Sequence, residues 1–449
     1  MANISKFRVA ILAALLAATP GVAAAAEIPL TLAEAIGIAL RGNPALAAAE
    51  GRETGSWAAR DRVGADLWPQ LRLESRLGHV SEVPESVIPG RDPVPLAEKD
   101  TWVTTATLQQ LVYSGGRVSA LARQLTNTAE AARAARLRAR QMVAFGAERA
   151  FRLLLATQEE IGVAAQNLAA AEDHLRVAGE RFAARAAARF DVLRAEVQAE
   201  EARQEVIRAD GNLVAARALL LQALGLASGE YRALPLAAAV NSRPGVDELL
   251  AAADRQRPDL EGLARQLAAA EAGIAAARAE RYPIIGLAAD YQYATPESTT
   301  VFSRWSVGAL MSLPILDGGR AGARRHEAEA ALVQARAALN QGRRQVEAEV
   351  RQTVARIASA AALVRVATRQ IEQAEELARL ADVRFAGGVG TATEVADAKG
   401  SLARARYGLV RAEADRGIAD AELSLAIGAV PTDEPAERTQ PTIQEGATR

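Results

Sequence analysis

The 449-residue chain contains no cysteine, which excludes disulfides, thiolate metal sites and cysteine nucleophiles, and leaves no residue to take an N-terminal lipid anchor. Aromatic residues make up only 4% although half of the chain is hydrophobic, so its apolar content is mostly alanine and aliphatics. That composition suits long packed helices better than a compact enzyme core. Neither sign of charge dominates: 53 basic against 54 acidic residues leave a net charge of −1, with no support for a nucleic-acid partner. After the N-terminal segment no apolar run reaches the ~18 residues that a membrane helix needs. Any later insertion into a bilayer therefore has to be by β-strands. The most informative absence is proline. All 17 prolines lie outside residues 96–234 and 315–430, and a helix interior tolerates proline least.

Both proline-free windows have one helical stripe. Apolar residues fall in a seven-residue phase at Val350, Ile357, Val364, Ile371 and Phe385, with small residues at Thr353, Ala360, Ala367, Ala374 and Ala381. Moving back by 203 residues gives Leu154, Ile161, Leu168, Leu175 and Phe182, with Ala150, Thr157, Ala164, Ala171 and Ala178. A large-plus-alanine heptad predicts coiled-coil packing at a short interaxial distance.

The duplication covers nearly the whole chain. Asn43-Pro44-Ala45-Leu46 matches Arg257-Pro258-Asp259-Leu260 and Trp68-Pro69 matches Tyr282-Pro283, both at an offset of 214. Gly115-Gly116-Arg117 matches Gly318-Gly319-Arg320 and Leu224-Gly225 matches Ile427-Gly428, both at 203, which places an 11-residue insertion between Pro69 and Gly115. Two copies of one unit make a tandem duplication rather than a solenoid. The expected organisation is a first repeat over 27–230, a linker over 231–245, a second repeat over 246–430 and a tail over 431–449.

Residues 1–26 read as an export signal, with Lys6 and Arg8 ahead of an apolar stretch Val9–Ala18 and a cleavage site at Ala24-Ala25-Ala26. Thr31-Leu32-Ala33-Glu34 then predicts a capping box, and Pro44 and Pro258 each open a helix. After these the period changes from 3.6 to 2. Strands are expected at 67–80, 101–113, 284–294 and 301–315. Ile285, Leu287, Ala289, Tyr291 and Tyr293 share one face, and Asp290 and Gln292 the other. Strands of ~10 residues, apolar on one face with aromatics near the ends, fit a transmembrane barrel. A soluble hairpin alternates in the same way, and the export signal and aromatic placement favour the membrane. Four strands cannot close a barrel, so several chains must combine. The proline-rich connector Ser81–Asp100 reads as an external loop. Long helical hairpins are expected at 117–226 and 320–428, turning at RFAARAAARFDVLRAE (Arg181–Glu196) and RFAGGVGTATEVADAK (Arg384–Lys399).

With LTLAEAIGIALRGNPAL at Leu30–Leu46, the strand exits LVYSGGR and PILDGGR, and the two RF-containing turns, the chain resembles the TolC-type outer-membrane efflux protein family over about Leu30–Val430. The resemblance implies a mainly α-helical protein with a transmembrane β part. Its expected form is a homotrimer with a twelve-stranded barrel in outer-membrane lipid, a periplasmic α-helical tunnel and a mixed belt that includes 231–245. It implies an exit duct of a tripartite efflux or type I secretion system. The expected partners are a periplasmic adaptor and an inner-membrane pump of RND or ABC type. Glu394 and Asp397 match the family's acidic pair at the entrance, and three chains would set six carboxylates there. At the matching gate positions the chain has Phe385 and Gly390 in place of an aromatic hydroxyl and an arginine, which removes partners from Asp191 and implies a gate held by other contacts. Gly387, Gly388 and Val389 in the second turn, and Arg185, Ala186 and Ala187 in the first, occupy the adaptor-docking positions.

Catalysis finds no support. His79, His174 and His326 lie in a strand or on charged helices and read as ordinary surface residues, and both GGR segments join a strand to a helix rather than forming a phosphate loop. No enzyme activity, cofactor or metal is expected. A periplasmic adaptor would have one helical hairpin where this chain has two, and a structural coiled coil would have no need of four alternating strands.

Overall fold

The computed structural model describes residues 27–86, 89–90, 94–95, 99–236, 244–296 and 302–429. The expected export signal, the tail 431–449, the middle of the 231–245 linker and parts of the 81–100 connector lie outside them. After strand β1 (Ile28–Leu30), helix α1 (Leu32–Gly42) begins with the reciprocal box: the Thr31 hydroxyl accepts from Glu34 N at 3.3 Å, and the Glu34 carboxylate accepts from Thr31 N at 2.9 Å. Asn43 then caps α2 (Pro44–Ala65), its side-chain oxygen accepting from Ala45 N at 2.9 Å. Strand β2 (Gln70–His79), a short pair β3 (Glu85–Ser86) and β4 (Val94–Pro95), and β5 (Asp100–Tyr113) follow. Helices α3 (Arg117–Ala183) and α4 (Arg189–Leu224) form the first long hairpin. The second repeat supplies β6 (Tyr231–Ala233), α5 (Val246–Gln256), α6 (Pro258–Ala279), β7 (Ile284–Pro296), β8 (Phe302–Ser312), α7 (Arg320–Ala386) and α8 (Ala392–Ala426). The parallel pairing of β1 with β6 is a feature that the periodicity does not announce, because three-residue strands are too short to alternate.

Helices α3 and α7 each contain 67 residues, a length on the order of 100 Å. Their partners are lined by alanine. Ala195, Ala202, Ala209 and Ala216 are buried on α4, and Ala398, Ala405, Ala412 and Ala419 are buried on α8, every seventh residue in both. A strict seven-residue seam winds two helices into a left-handed supercoil, and alanine lets their axes approach closely. Larger side chains concentrate away from the turns: Phe151, Leu154, Leu220 and Leu224 are almost fully buried against α1 and the β1–β6 pair.

Two short helices stack end to end along each long one, and the joint is the same in both repeats. Gly225 and Gly428 end α4 and α8 in the left-handed region, at φ 74° and 78°. A Cβ on Gly225 would stand 2.9 Å from the Gly42 carbonyl oxygen and from Asn43 Cα, and one on Gly428 would stand 2.7 Å from the Gln256 carbonyl oxygen. Asn43 donates to the Ala223 carbonyl at 2.9 Å across the first joint, and Arg257 donates to the Ala426 carbonyl at 3.1 Å across the second. Arg257 is buried between Asp259, at 2.5 Å, and Glu349, at 2.6 Å. The first repeat grips the second joint as well, with Arg138 donating to the Leu425 carbonyl at 3.0 Å and Gln141 to the Gly428 carbonyl at 2.8 Å.

Strands β2, β5, β7 and β8 form one antiparallel sheet in that order. The register puts Leu71 beside Leu108, Leu77 beside Trp102, Ile285 beside Met311 and Tyr291 beside Trp305 on one face. Arg76, Thr105, Gln292 and Arg304 belong to the other, where Arg304 donates to the Gln292 side chain at 2.9 Å. On the apolar face the hydroxyl of Ser75 accepts from the Trp102 indole at 2.7 Å and pairs with Thr104 at 3.0 Å, so the polar groups among the leucines are satisfied locally. A bulge between Leu111 and Tyr113 shifts the register of β5, which explains why its alternation is less clean than that of β7.

The joint glycines give a direct test. Gly428→Ala should lower stability by about 1–3 kcal/mol, since the added Cβ meets backbone and the conformation is left-handed. Gly162→Ala, mid-helix in open surroundings, should instead raise it by up to about 1 kcal/mol. Denaturant unfolding followed by the helical circular dichroism signal separates the two.

Candidate functional site

The two turns have the same backbone plan. In the first, Arg185 N donates to the Phe182 carbonyl at 2.9 Å and Ala186 N to the Arg181 carbonyl at 2.8 Å. In the second, Gly388 N donates to the Phe385 carbonyl at 3.2 Å and Val389 N to the Arg384 carbonyl at 3.1 Å. Arg185 takes the left-handed conformation at φ 59° that Gly388 takes at φ 75°. Replacing the glycine-containing turn by Arg185-Ala186-Ala187 thus keeps the shape and adds strain of roughly 1–2 kcal/mol at Arg185. The side chains of Arg185 and Ala186, and residues Gly387, Gly388 and Val389, are exposed, while Ala187 is half-buried. Gly390 has a packing reason to be glycine, because a Cβ there would lie 2.9 Å from Phe385 N.

Thr391 caps α8, its hydroxyl accepting from Glu394 N at 3.2 Å. Glu394 and Asp397 are exposed and three residues apart, so they share one face of α8. The Glu394 carboxylate faces the Arg384 guanidinium at 3.5 Å. Asp191 is not brought to them. It serves its own helix, accepting from Ala188 N at 3.0 Å at the start of α4. Beneath the second turn, Val395 and Ala398 pack on Ala378 and Ala381, with Phe385 and Leu402 against them.

Histidine 174 corrects the expectation of a surface residue. Only 8% of it is exposed, and its ring centroid lies 6.0 Å from that of Phe385. Burial holds its imidazole below the usual histidine range. Lys399 and Arg181 lower it further, while Asp382 and Asp173 oppose the shift. Arg181, from the same helix, places its guanidinium carbon 3.9 Å from the Phe385 ring centroid. His79 and His326 are exposed, as expected, and pair with Asp100 and Glu329. Among the described residues no group of three or more His, Asp or Glu is placed to hold a metal, and no helix is long and apolar enough to cross a membrane.

Long duplicated helical hairpins on a four-stranded sheet with one apolar face define the class of outer-membrane channels. The chain belongs to the outer membrane efflux protein family, whose model matches residues 35–226 and 249–429. The family is one of non-enzymatic outer-membrane channels that extend into the periplasm and act as trimers in tripartite efflux systems. Nodulation protein T of Rhizobium leguminosarum bv. trifolii is 25% identical over 60% of this chain and 60% of its own length. Among solved structures, a membrane protein from Pseudomonas aeruginosa superposes with a TM-score of 0.78 at 23% identity, covering 89% of this chain and 90% of that one. The Campylobacter jejuni CmeC outer membrane channel gives 0.78 at 14% identity, covering 88% and 85%.

The shared turn geometry predicts opposite effects of two substitutions. Arg185→Gly should relieve the left-handed strain and stabilise the first turn by about 0.5–1 kcal/mol, and Gly388→Ala should loosen the second by a similar amount. Hydrogen exchange of the amides at 184–186 should slow in the first variant, and exchange at 387–390 should quicken in the second.

Proposed function

We propose that this chain is the outer-membrane exit duct of a tripartite efflux or type I secretion system of a Gram-negative cell. Three copies close a twelve-stranded barrel in the outer membrane and a helical tunnel through the periplasm. A periplasmic adaptor docks at the turns around Arg185, Ala186, Ala187, Gly387, Gly388 and Val389. An inner-membrane pump of RND or ABC type supplies the energy.

The observation that carries the reading is the sheet. Its outer strands β2 and β8 have no neighbour on one side among the described strands, and its apolar face is open, with Leu77 82% and Trp305 74% exposed in the single chain. Lipid accepts an apolar face but not an open edge. Joining β8 of one copy to β2 of the next removes every edge. Trp102 and Tyr113 stand eleven residues apart along β5. At ~3.3 Å per residue and a tilt near 45°, that spans roughly 25 Å, the height of the apolar band between aromatic girdles.

The duplication supports the same assembly. Gly115 packs so closely on the second repeat that a Cβ would stand 2.3 Å from that of Tyr282, whereas the equivalent Gly318 has nothing within 4 Å. The residue equivalent to Tyr282 is Trp68, which is 73% exposed. A neighbouring copy that presents Trp68 to Gly318 repeats between chains the contact already made within one.

Glu394 and Asp397 of three copies then ring the entrance and favour cations. Replacing both with alanine should reduce cation over anion selectivity severalfold in planar bilayers while the channel still inserts. Unchanged selectivity and conductance would remove the acidic ring from the account.

A further inference from the structure

Phe385 reaches from the second hairpin onto the first. One side of it packs on the small core of Ala378, Ala381, Val395 and Ala398, and Arg181 and His174 of α3 meet its ring. The charges that act on His174 come from three helices, Asp173 and Arg181 on α3, Asp382 on α7 and Lys399 on α8, while α4 packs on α3 at the same level and pairs its Arg203 with Glu172 at 3.0 Å. Both carboxylates are already engaged, Asp382 by Lys399 at 3.5 Å and Asp173 by Arg176 at 2.6 Å. The face of the Phe385 ring is occupied by the Arg181 guanidinium. An imidazolium at position 174 would thus add a cation beside Arg181 and Lys399, in a buried contact whose two carboxylates already pair with other cations.

We propose that Arg181 and His174 clasp Phe385 to hold the two hairpins together at the turns, and that protonation of His174 releases the clasp. The proposal rests on the reading of the turns as the tunnel entrance. The neutral imidazole is the packed form, so the contact is at full strength above the ordinary histidine range and weakens as pH falls from that range toward the lowered pKa. The duplicate frame places Leu377, Arg384 and Phe182 at the positions equivalent to His174, Arg181 and Phe385. Leu377 is 51% and Phe182 45% exposed in the single chain, and a junction between copies built from them would have no group that titrates near neutral pH. Only the junction within each chain would respond.

The absence of cysteine makes the test clean. Nitroxide labels at Ala186→Cys and Val389→Cys, in the full chain purified in detergent, report the distance between the two turns. Lowering the pH from about 7.5 to about 5.5, a range that brackets the ordinary titration of histidine, should increase the long-distance population severalfold. In His174→Gln the distribution should be the same at both pH values, and in Phe385→Leu the long distances should be present at both. An unchanged distribution in the His174 chain would overturn the proposal. An equal shift in His174→Gln would also overturn it, by assigning the response to a group other than His174. Distances and bilayer currents are separate readouts. A pH-dependent distance without conductance would sink the duct and leave the clasp standing, and conductance without the distance change would do the reverse.

Discussion

A β-sheet in lipid cannot end at an open edge, because no water is present to satisfy the unpaired amides and carbonyls of its outer strands. This chain has four such strands among the described residues, with β2 and β8 outermost and an exposed apolar face. Every other large feature fits a subunit that completes itself only in company. Strand β5 leads into α3 through Gly115 and Gly116, and β8 reaches α7 over residues 313–319, which end in Gly318 and Gly319, so the sheet fixes where the two long helices start. The contact made within the chain between Gly115 and Tyr282 has a duplicate pair, Gly318 and Trp68, that lies open.

The alanine seams then determine what the helices can be. A helix on the order of 100 Å long, paired over about half its length by the returning arm of its hairpin, cannot be held by one compact core. It is held by a repeated short-range contact, a buried alanine every seven residues along α4 and α8. The composition follows from that geometry: much alanine, few aromatics, and large side chains such as Phe151, Leu154 and Leu220 reserved for the region where α1 and the β1–β6 pair thicken the wall. At the turns the wall thins to alanine, Val395 and Phe385, which leaves a few polar and aromatic contacts to determine how firmly the two hairpins stay together.

Proline exclusion and the heptad phase located the long helices closely, because both signals recur over many turns, and the joint at Gly225 and Gly428 was visible as a matched pair of motifs. The strands of the second repeat were legible from strict alternation. In β5 the bulge near Val112 breaks that alternation, and β1 and β6 are too short to show any. At the turns, Glu394 and Asp397 stand on one exposed face as their spacing requires, but Asp191 acts as a helix cap, a role that its position as third residue of α4 could have indicated. His174 lies on a charged helix, which predicts a surface residue, whereas the fold buries it. The duplication held a partial signal, since the equivalent of His174 is the apolar Leu377. Arg257 was likewise legible only as a match to Asn43, and its burial between Asp259 and Glu349 depends on packing that no spacing reveals.

The most direct test of this account is the native mass of the mature protein extracted by detergent from purified outer membranes. The account predicts a stable assembly of three chains in that fraction. A monomer recovered from the soluble periplasm would mean that β2 and β8 never find partners, and would contradict it.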